Sequence, residues 1–238
     1  MPTERIWALV PAAGSGARFG QATPKQYLPL AGRPLIAHCL ATLCNHPDVA
    51  GVALVLSPDD QGFDAIDTAR WGDRLRVLRC GGATRAQTVL NGLREMATQC
   101  QESDWVMVHD AARPCLSPTL IDRLIDALRD DPVGGILAVP VADTLKRADA
   151  AGRIEATVPR QSLWAAQTPQ MFRLGLLIRA LSQGSGVEVT DEASAVESLG
   201  LKPRLVPGDP INLKVTYPDD LRSAERHLVD LSGENITP

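Results

Sequence analysis

The residues best suited to chemistry lie in one stretch, Leu9 to Gln26, which reads LVPAAGSGARFGQATPKQ. Three glycines, Gly14, Gly16 and Gly20, follow closely on the apolar run Ile6 to Val10. A glycine-rich turn after a buried strand lets several main-chain N–H groups point one way and lets a ligand approach the backbone, an arrangement that binds phosphate. Two cations, Arg18 and Lys25, sit in or just beyond it. From Arg5 to Pro47 the cations are Arg5, Arg18, Lys25 and Arg33, and there is no Asp or Glu. In a chain with more acid than base, that is a local anion site. Neither common phosphate fingerprint fits. A P-loop ends in Gly-Lys-Ser/Thr, whereas Lys25 lies between Pro24 and Gln26. A dinucleotide loop reads G-x-G-x-x-G with an acid about 20 residues on. Here the spacing is G-x-G-x-x-x-G and the next acid is Asp48.

Two further groups of residues have chemical potential. Cys80-Gly81-Gly82-Ala83-Thr84-Arg85, with Thr88 beyond it, offers a backbone that a flat ligand can approach, and Thr84 is also a fair helix N-cap. His109-Asp110-Ala111-Ala112-Arg113-Pro114 sets a carboxylate directly after an apolar run. A carboxylate so placed can hold Mg²⁺ against phosphate oxygens, and Arg113 can bind a second anion bidentately. The plainer reading is an Asp–Arg ion pair at a turn. Later signals are scattered: Asp143-Thr144-Leu145-Lys146, Arg160, Gln167-Thr168-Pro169-Gln170, Thr190-Asp191-Glu192-Ala193-Ser194, and Asn212-Leu213-Lys214-Val215-Thr216. Taken singly, Thr190-Asp191-Glu192 reads as a helix start and Arg160 as a surface cation.

The elements that must position these residues alternate between strand and helix through the first 140 or so residues. The near-continuous apolar runs 6–11, 52–56, 75–80, 105–109 and 135–141 read as strands of a parallel sheet covered on both faces. Pro34 opens the first helix, 84–96 is another, and Ser117-Pro118 caps one whose apolar face carries Leu120, Ile121, Leu124, Ile125 and Leu128. The rhythm predicts a doubly wound, mostly parallel α/β sheet, with its ligand beyond the carboxyl ends of the strands. From 142 to 161 the chain turns polar, and DTLKRA and RIEATV can pair as a hairpin about Ala150-Ala151-Gly152. That segment is either a surface excursion or an arm that reaches a second subunit. Helices are expected at 173–182 and 191–199, a short strand pair near 204–206 and 212–215, and a last helix at 218–231.

Composition narrows the class. Among 238 residues, 45% are hydrophobic and 22% charged, which suits a globular protein. The length fits one α/β domain spanning 1–238. The net charge of −4 argues against general nucleic-acid binding. The cysteines are odd in number and lack C-x-x-C, so neither a disulfide framework nor a zinc site is indicated, and the histidines show no metal spacing. There is no signal-peptide pattern and no membrane-length apolar run, so a cytoplasmic location is expected.

Pro11-Ala12-Ala13-Gly14-x-Gly16-x-Arg18 followed by Pro24-Lys25-Gln26-Tyr27-Leu28 resembles the signature of the IspD family, the 2-C-methyl-D-erythritol 4-phosphate cytidylyltransferases. The later motifs track that family in order across nearly the whole chain. The resemblance implies a Rossmann-like nucleotidyltransferase fold with a protruding β-arm, and transfer of a cytidylyl group from CTP to a polyol phosphate. It implies CTP contacts at Pro11, Ala12, Ala13, Gly14, Gly16, Gly82, Arg85, Thr88, Asp110 and Ala111, with Mg²⁺ or another divalent cation on Asp110. Arg18, Lys25, Arg160 and Lys214 become the catalytic cations, and Arg113, Thr144, Thr168 and Thr190 contact the polyol phosphate. It also implies a homodimer through the 142–161 arm. Ala83-Thr84 stands where the family usually has an acidic pair, and Thr88 where it has serine. Two alternatives share this architecture: a ribitol-5-phosphate cytidylyltransferase and a non-catalytic nucleotide-binding protein.

Overall fold

The computed structural model describes residues 4–14, 23–183 and 189–232. Gly16 and Arg18 lie outside the described residues. In chain order the strands and helices begin with β1 (Ile6–Pro11), the two-residue strands β2 (Pro29–Leu30) and β3 (Arg33–Pro34), α1 (Leu35–Asn45) and β4 (Val49–Val55). Next come β5 (Leu75–Leu78), α2 (Arg85–Met96), β6 (Trp105–Val108), α3 (Pro118–Leu128) and β7 (Gly134–Pro140). Then follow β8 (Leu145–Ala148), β9 (Ile154–Val158), β10 (Trp164–Arg173), α4 (Leu174–Ser182), α5 (Glu192–Glu197), β11 (Arg204–Pro207) and α6 (Pro218–Ser232).

Seven strands form one sheet in the order β11-β7-β10-β6-β1-β4-β5. The β1–β4, β1–β6, β4–β5 and β7–β11 pairs are parallel, while β10 runs antiparallel between β6 and β7. The parallel strands are apolar along their length because both faces are covered. One face buries Ala8, Val10, Ile36, Leu40, Leu54, Met107, Ile121 and Leu124 with α1 and α3. The other buries Leu9, Val55, Val89, Leu93, Val108, Phe172, Leu177 and Val196 with α2, α4 and α5. The helices start where the sequence supplies a cap. Thr84 Oγ1 accepts from Gln87 N at 3.1 Å. Ser117 Oγ accepts from Leu120 N at 3.3 Å ahead of Pro118. Such caps each contribute about 1 kcal/mol. The five cysteines are free thiols.

One strand was not anticipated from the sequence, and one expectation needs correction. Residues 164–173 form a ten-residue strand in the middle of the sheet, a position the polar, proline-containing sequence WAAQTPQ did not suggest. Its ladder to β7 breaks between Ala166 and Gln170, and its ladder to β6 begins at Gln170. Gln167, Thr168 and Pro169 therefore sit in a bulge, where a proline can be tolerated and side chains can be re-aimed. The correction concerns 204–206 and 212–215, which do not pair with each other. β11 pairs with β7, and the 212–215 segment is irregular. Its polar groups are engaged elsewhere: Asn212 O accepts from Arg113, and Asn212 Nδ2 donates to Thr168 O.

The 142–161 excursion does form a separate two-stranded sheet, with Leu145 opposite Val158 and Lys146 opposite Thr157. Ile154 is 69% exposed on it, and Leu163 and Trp164 are partly exposed at its base.

Candidate active site

The parallel strands end at one edge, and there the loops after β1, β5 and β6 enclose a cleft of about 570 Å³. Pro11, Ala12, Ala13 and Gly14 form one wall, and Gly82, Arg85 and Thr88 another. Lys25, Asp110, Ala111 and Lys214 complete the lining. A cleft of about 850 Å³ opens at the opposite edge, by Arg5, Asp48, Arg74 and Arg129, but neither the Gly14 nor the Gly82 loop reaches it.

Each wall is fixed from the sequence upward. Ala12 N donates to Val55 O, so the β1 ladder continues into the turn. The Gln26 amide donates to Ala12 O at 3.1 Å and Gly14 O at 3.3 Å, tying the turn to the single 3-10 turn Lys25–Tyr27. Tyr27 Oη donates to Asp60 Oδ2 at 2.7 Å and fixes the far end of that turn. Lys25 is thereby held at the cleft, where its Nζ donates to Val215 O at 3.1 Å. Gly81 must be glycine, because a Cβ there would come within 2.3 Å of Ala13 Cβ and 2.7 Å of Leu56 O. Gly82 N donates to Thr88 Oγ1 at 3.0 Å, and that hydroxyl donates back to Gly82 O at 3.3 Å. Thr88 thus braces the loop's main chain.

Asp110 is the centre of charge. Arg85 Nε and Nη2 both reach its Oδ1, at 3.0 and 2.9 Å, and Lys214 Nζ reaches Oδ2 at 2.7 Å. Burial would push the carboxyl up, but Arg85 and Lys214 outweigh it and hold it well below the usual carboxylate range. Behind Arg85 lies Glu192, wholly buried, which accepts from Nη1 at 2.6 Å and Nη2 at 2.9 Å. Burial holds the Glu192 carboxyl above its usual value, with the Arg85 charge opposing it only in part; the two-point fork, in which both oxygens accept from the guanidinium, is that of a carboxylate. Among the described residues, the cleft lining carries three cations, Lys25, Arg85 and Lys214, and one carboxylate, Asp110. That balance suits a polyphosphate.

The Asp110 main chain is held from β10. Its N–H donates to Thr168 Oγ1 at 3.0 Å, and Thr168 Oγ1 lies 3.1 Å from His109 Nδ1. His109 Nε2 lies 3.0 Å from Arg113 O, an oxygen that can only accept. Donor accounting then puts the proton on Nε2 and leaves Nδ1 to accept from Thr168. Burial agrees with a neutral ring, pulling the His109 pKa down to about 4. An unfolded chain protonates this ring from about pH 6.5 downward, so the folded state loses relative stability as pH falls from about 6.5 towards 4. The gap in melting temperature between the protein and His109→Gln is expected to narrow over that range. A gap independent of pH would contradict the neutral, buried ring.

The remaining expected residues are placed differently. Arg113 is buried and donates to Asn212 O at 2.7 Å and Ala166 O at 3.2 Å; the ion pair with Asp110 considered from sequence does not form. Thr168 is buried, with its hydroxyl engaged as described. Thr190 is exposed beside Ser194, and Thr144 and Arg160 are exposed at the two ends of the arm. None of these five lines the cleft of its own chain. Gln26, His109 and Glu192 hold the site together without having been singled out from sequence for it. The signal at Glu192 was a helix start, which is real: Asp191 caps the helix, its Oδ1 accepting from Ser194 N.

Could Asp110 hold a divalent cation? Oδ1 takes two N–H groups of Arg85, but Oδ2 keeps an acceptor direction beyond Lys214, and the carboxylate lines the cation-rich cleft. That fits a Mg²⁺ ligated mainly by phosphates and water with one carboxylate. A different group, His46, Asp48 and Asp122, has ligand atoms within 4.8 Å of one another. Both its ring nitrogens are in use, at 3.1 Å from Asp122 Oδ1 and 3.3 Å from Asp48 N, and it precedes β4 at the wrong edge.

A mostly parallel α/β sheet with a cation-lined, glycine-walled cleft at its carboxyl edge defines a nucleotidyltransferase. The family model of 2-C-methyl-D-erythritol 4-phosphate cytidylyltransferase (IspD) matches residues 6–230. The chain is 60% identical over 220 residues to the enzyme of that name from Dechloromonas aromatica, covering 92% of this chain and 96% of the relative. It is 57% identical over 224 residues to that from Nitrosospira multiformis, covering 93% and 97%. A crystal structure of 4-diphosphocytidyl-2C-methyl-D-erythritol synthase superposes with a TM-score of 0.84 at 44% identity, covering 96% of this chain and 100% of the other. The chain belongs to the IspD family.

Proposed function

We propose that the protein transfers the cytidylyl group of CTP to 2-C-methyl-D-erythritol 4-phosphate, giving 4-(cytidine 5'-diphospho)-2-C-methyl-D-erythritol and pyrophosphate, in non-mevalonate isoprenoid biosynthesis. The observation that carries this reading is the convergence of Lys25, Arg85, Asp110 and Lys214 on one cleft in a chain matched to the family from 6 to 230. Steady-state pyrophosphate release with CTP and either methylerythritol phosphate or ribitol 5-phosphate tests it. Methylerythritol phosphate should be strongly preferred, and preference for ribitol 5-phosphate would overturn the substrate assignment.

The nucleophile is a phosphate oxygen attacking the α-phosphorus in line. A phosphate monoester has a second pKa near ~6 and is mostly dianionic at neutral pH, so no general base is required. The obstacle is repulsion between polyanions, about 4 kcal/mol for each unit-charge pair at 4 Å and an effective dielectric of ~20. Positioning and charge neutralisation therefore do the catalysis. Lys25, with Arg18, stabilises charge at the α-phosphate; Lys214, with Arg160, holds the attacking phosphate. Asp110 would hold Mg²⁺, which would supply neutralisation of the triphosphate charge. The walls of Gly82 and Ala12–Gly14 seat the cytidine, and Arg113, Thr144, Thr168 and Thr190 form or brace the polyol pocket. Asp110 stays ionised well below neutrality, so the acid limb of kcat/KM for the polyol phosphate should report the substrate, falling below pH ~6. A limb that shifts with Asp110 substitution instead of with substrate analogues would contradict this.

The chain acts as one cytidylyltransferase domain in a cytoplasmic homodimer. Among the described residues no helix is long and apolar enough to cross a membrane. Arg160 and Thr144 are exposed on the arm and away from their own cleft, as expected if the arm completes the partner's site. Mixing Arg160→Ala and Lys25→Ala subunits should then give activity well above either variant alone. Activity no higher than the parents' would set the cross-subunit role aside.

A further inference from the structure

Two carboxylates share one guanidinium in this site, and they share it unequally. Glu192 takes both terminal nitrogens of Arg85 in a fork, at 2.6 and 2.9 Å. Asp110 receives Arg85 on Oδ1 alone, which leaves Oδ2 to Lys214 at 2.7 Å. Lys214 is 42% exposed, so that contact is readily exchanged with solvent or ligand. Glu192 cannot move to suit. It is wholly buried at the start of α5. The helix start is pinned to β10 by Gln170, which donates to Asp191 Oδ2 and accepts from Ala193 N, both at 2.9 Å.

We propose that Glu192 is a positioning residue whose charge keeps Arg85 from neutralising Asp110, so that the Asp110 carboxylate stays able to take a divalent cation. The inference rests on the reading of Asp110 as the cation-holding carboxylate. With Glu192 present, the single charge of Arg85 is divided between two carboxylates, and the exchangeable Lys214 makes up the balance at Asp110. Without the Glu192 charge, the Arg85 fork is free to turn onto both oxygens of Asp110, and an incoming cation meets a site more positive by one unit. A buried acid with no such task would be costly to keep, since a well-packed apolar side chain is often as stable there.

The test is a Mn²⁺ titration of the full-length protein by water-proton relaxation, with a CTP analogue that cannot be cleaved between its α- and β-phosphates present at saturation. Asp110→Asn should weaken the binding about tenfold or more. Glu192→Gln, which preserves shape and an acceptor for Arg85, should weaken it about fivefold or more, as an unscreened neighbouring charge does. The double variant Arg85→Gln/Glu192→Gln removes both charges and should return affinity to within about twofold of the unsubstituted protein. A purely packing role for Glu192 predicts no such recovery. Binding unchanged in Glu192→Gln, or a double variant as weak as the single, would overturn the proposal for Glu192 while leaving Asp110 as the ligand. Binding of unchanged affinity in Asp110→Asn would overturn the reading of Asp110 itself and the proposal with it. If Glu192→Gln fails to fold, the double variant, which buries no unpaired charge, decides alone: affinity weaker by fivefold or more counts against the proposal.

Discussion

Lys25→Ala is expected to lower kcat about 100-fold or more while the melting temperature stays nearly unchanged. Loss of one donor aimed at a developing oxyanion typically costs about 10² to 10³ in rate. Lys25 is placed for that task by neighbours, not by its own packing. Gln26 anchors the turn to Ala12 and Gly14, Tyr27 anchors it to Asp60, and the ammonium reaches Val215 O at the mouth of the cleft. Truncating the lysine removes a charge from the cleft and leaves both anchors intact. The assay is pre-steady-state pyrophosphate release at saturating substrates. A kcat within a factor of about three of the unsubstituted enzyme would remove Lys25 from charge stabilisation.

Asp110→Ala is the second large effect, and it should reach both rate and stability. The carboxylate holds Arg85 and Lys214 and is the one acid lining the cleft among the described residues. Its loss should cost about 100-fold or more in kcat/KM for CTP. Arg85 keeps Glu192, and Lys214 regains water, so the loss of stability should fall below the ~3–5 kcal/mol typical of a broken buried pair. Thermal unfolding alongside CTP titration separates the two. Full activity in a well-folded variant would mean that Asp110 is only an anchor for Arg85.

These effects trace to residues with unequal visibility in the sequence. The glycine turn, the Gly81–Gly82 loop and Asp110 were legible because each follows a strand-like apolar run, and Lys25 because it lies in the acid-free stretch beyond the first of them; the doubly wound sheet gathers such strand ends at one edge. The strand at 164–173 was not. Its polar residues and Pro169 argue locally for a loop, and only in the sheet do Gln167, Thr168 and Gln170 find partners at 209, 109–110, and 191–193. Glu192 was hidden in a similar way. Its local role as part of a helix start is genuine, and its partner Arg85 is 107 residues away. Arg113 shows the converse. Beside an aspartate in sequence, it suggested an ion pair, yet its guanidinium satisfies two carbonyls of the chain that folds over it.

The central claim is that this cleft moves a cytidylyl group onto a polyol phosphate. The most direct measurement follows label from CTP marked at its α-phosphorus, with Mg²⁺ and 2-C-methyl-D-erythritol 4-phosphate. The same experiment is run with UTP, ATP and GTP. The account predicts that α-label from CTP passes into a diester product with one unlabelled pyrophosphate released per transfer, and that the other nucleotides transfer poorly. α-Label that stays in CTP, or that appears only as free CMP, would contradict it.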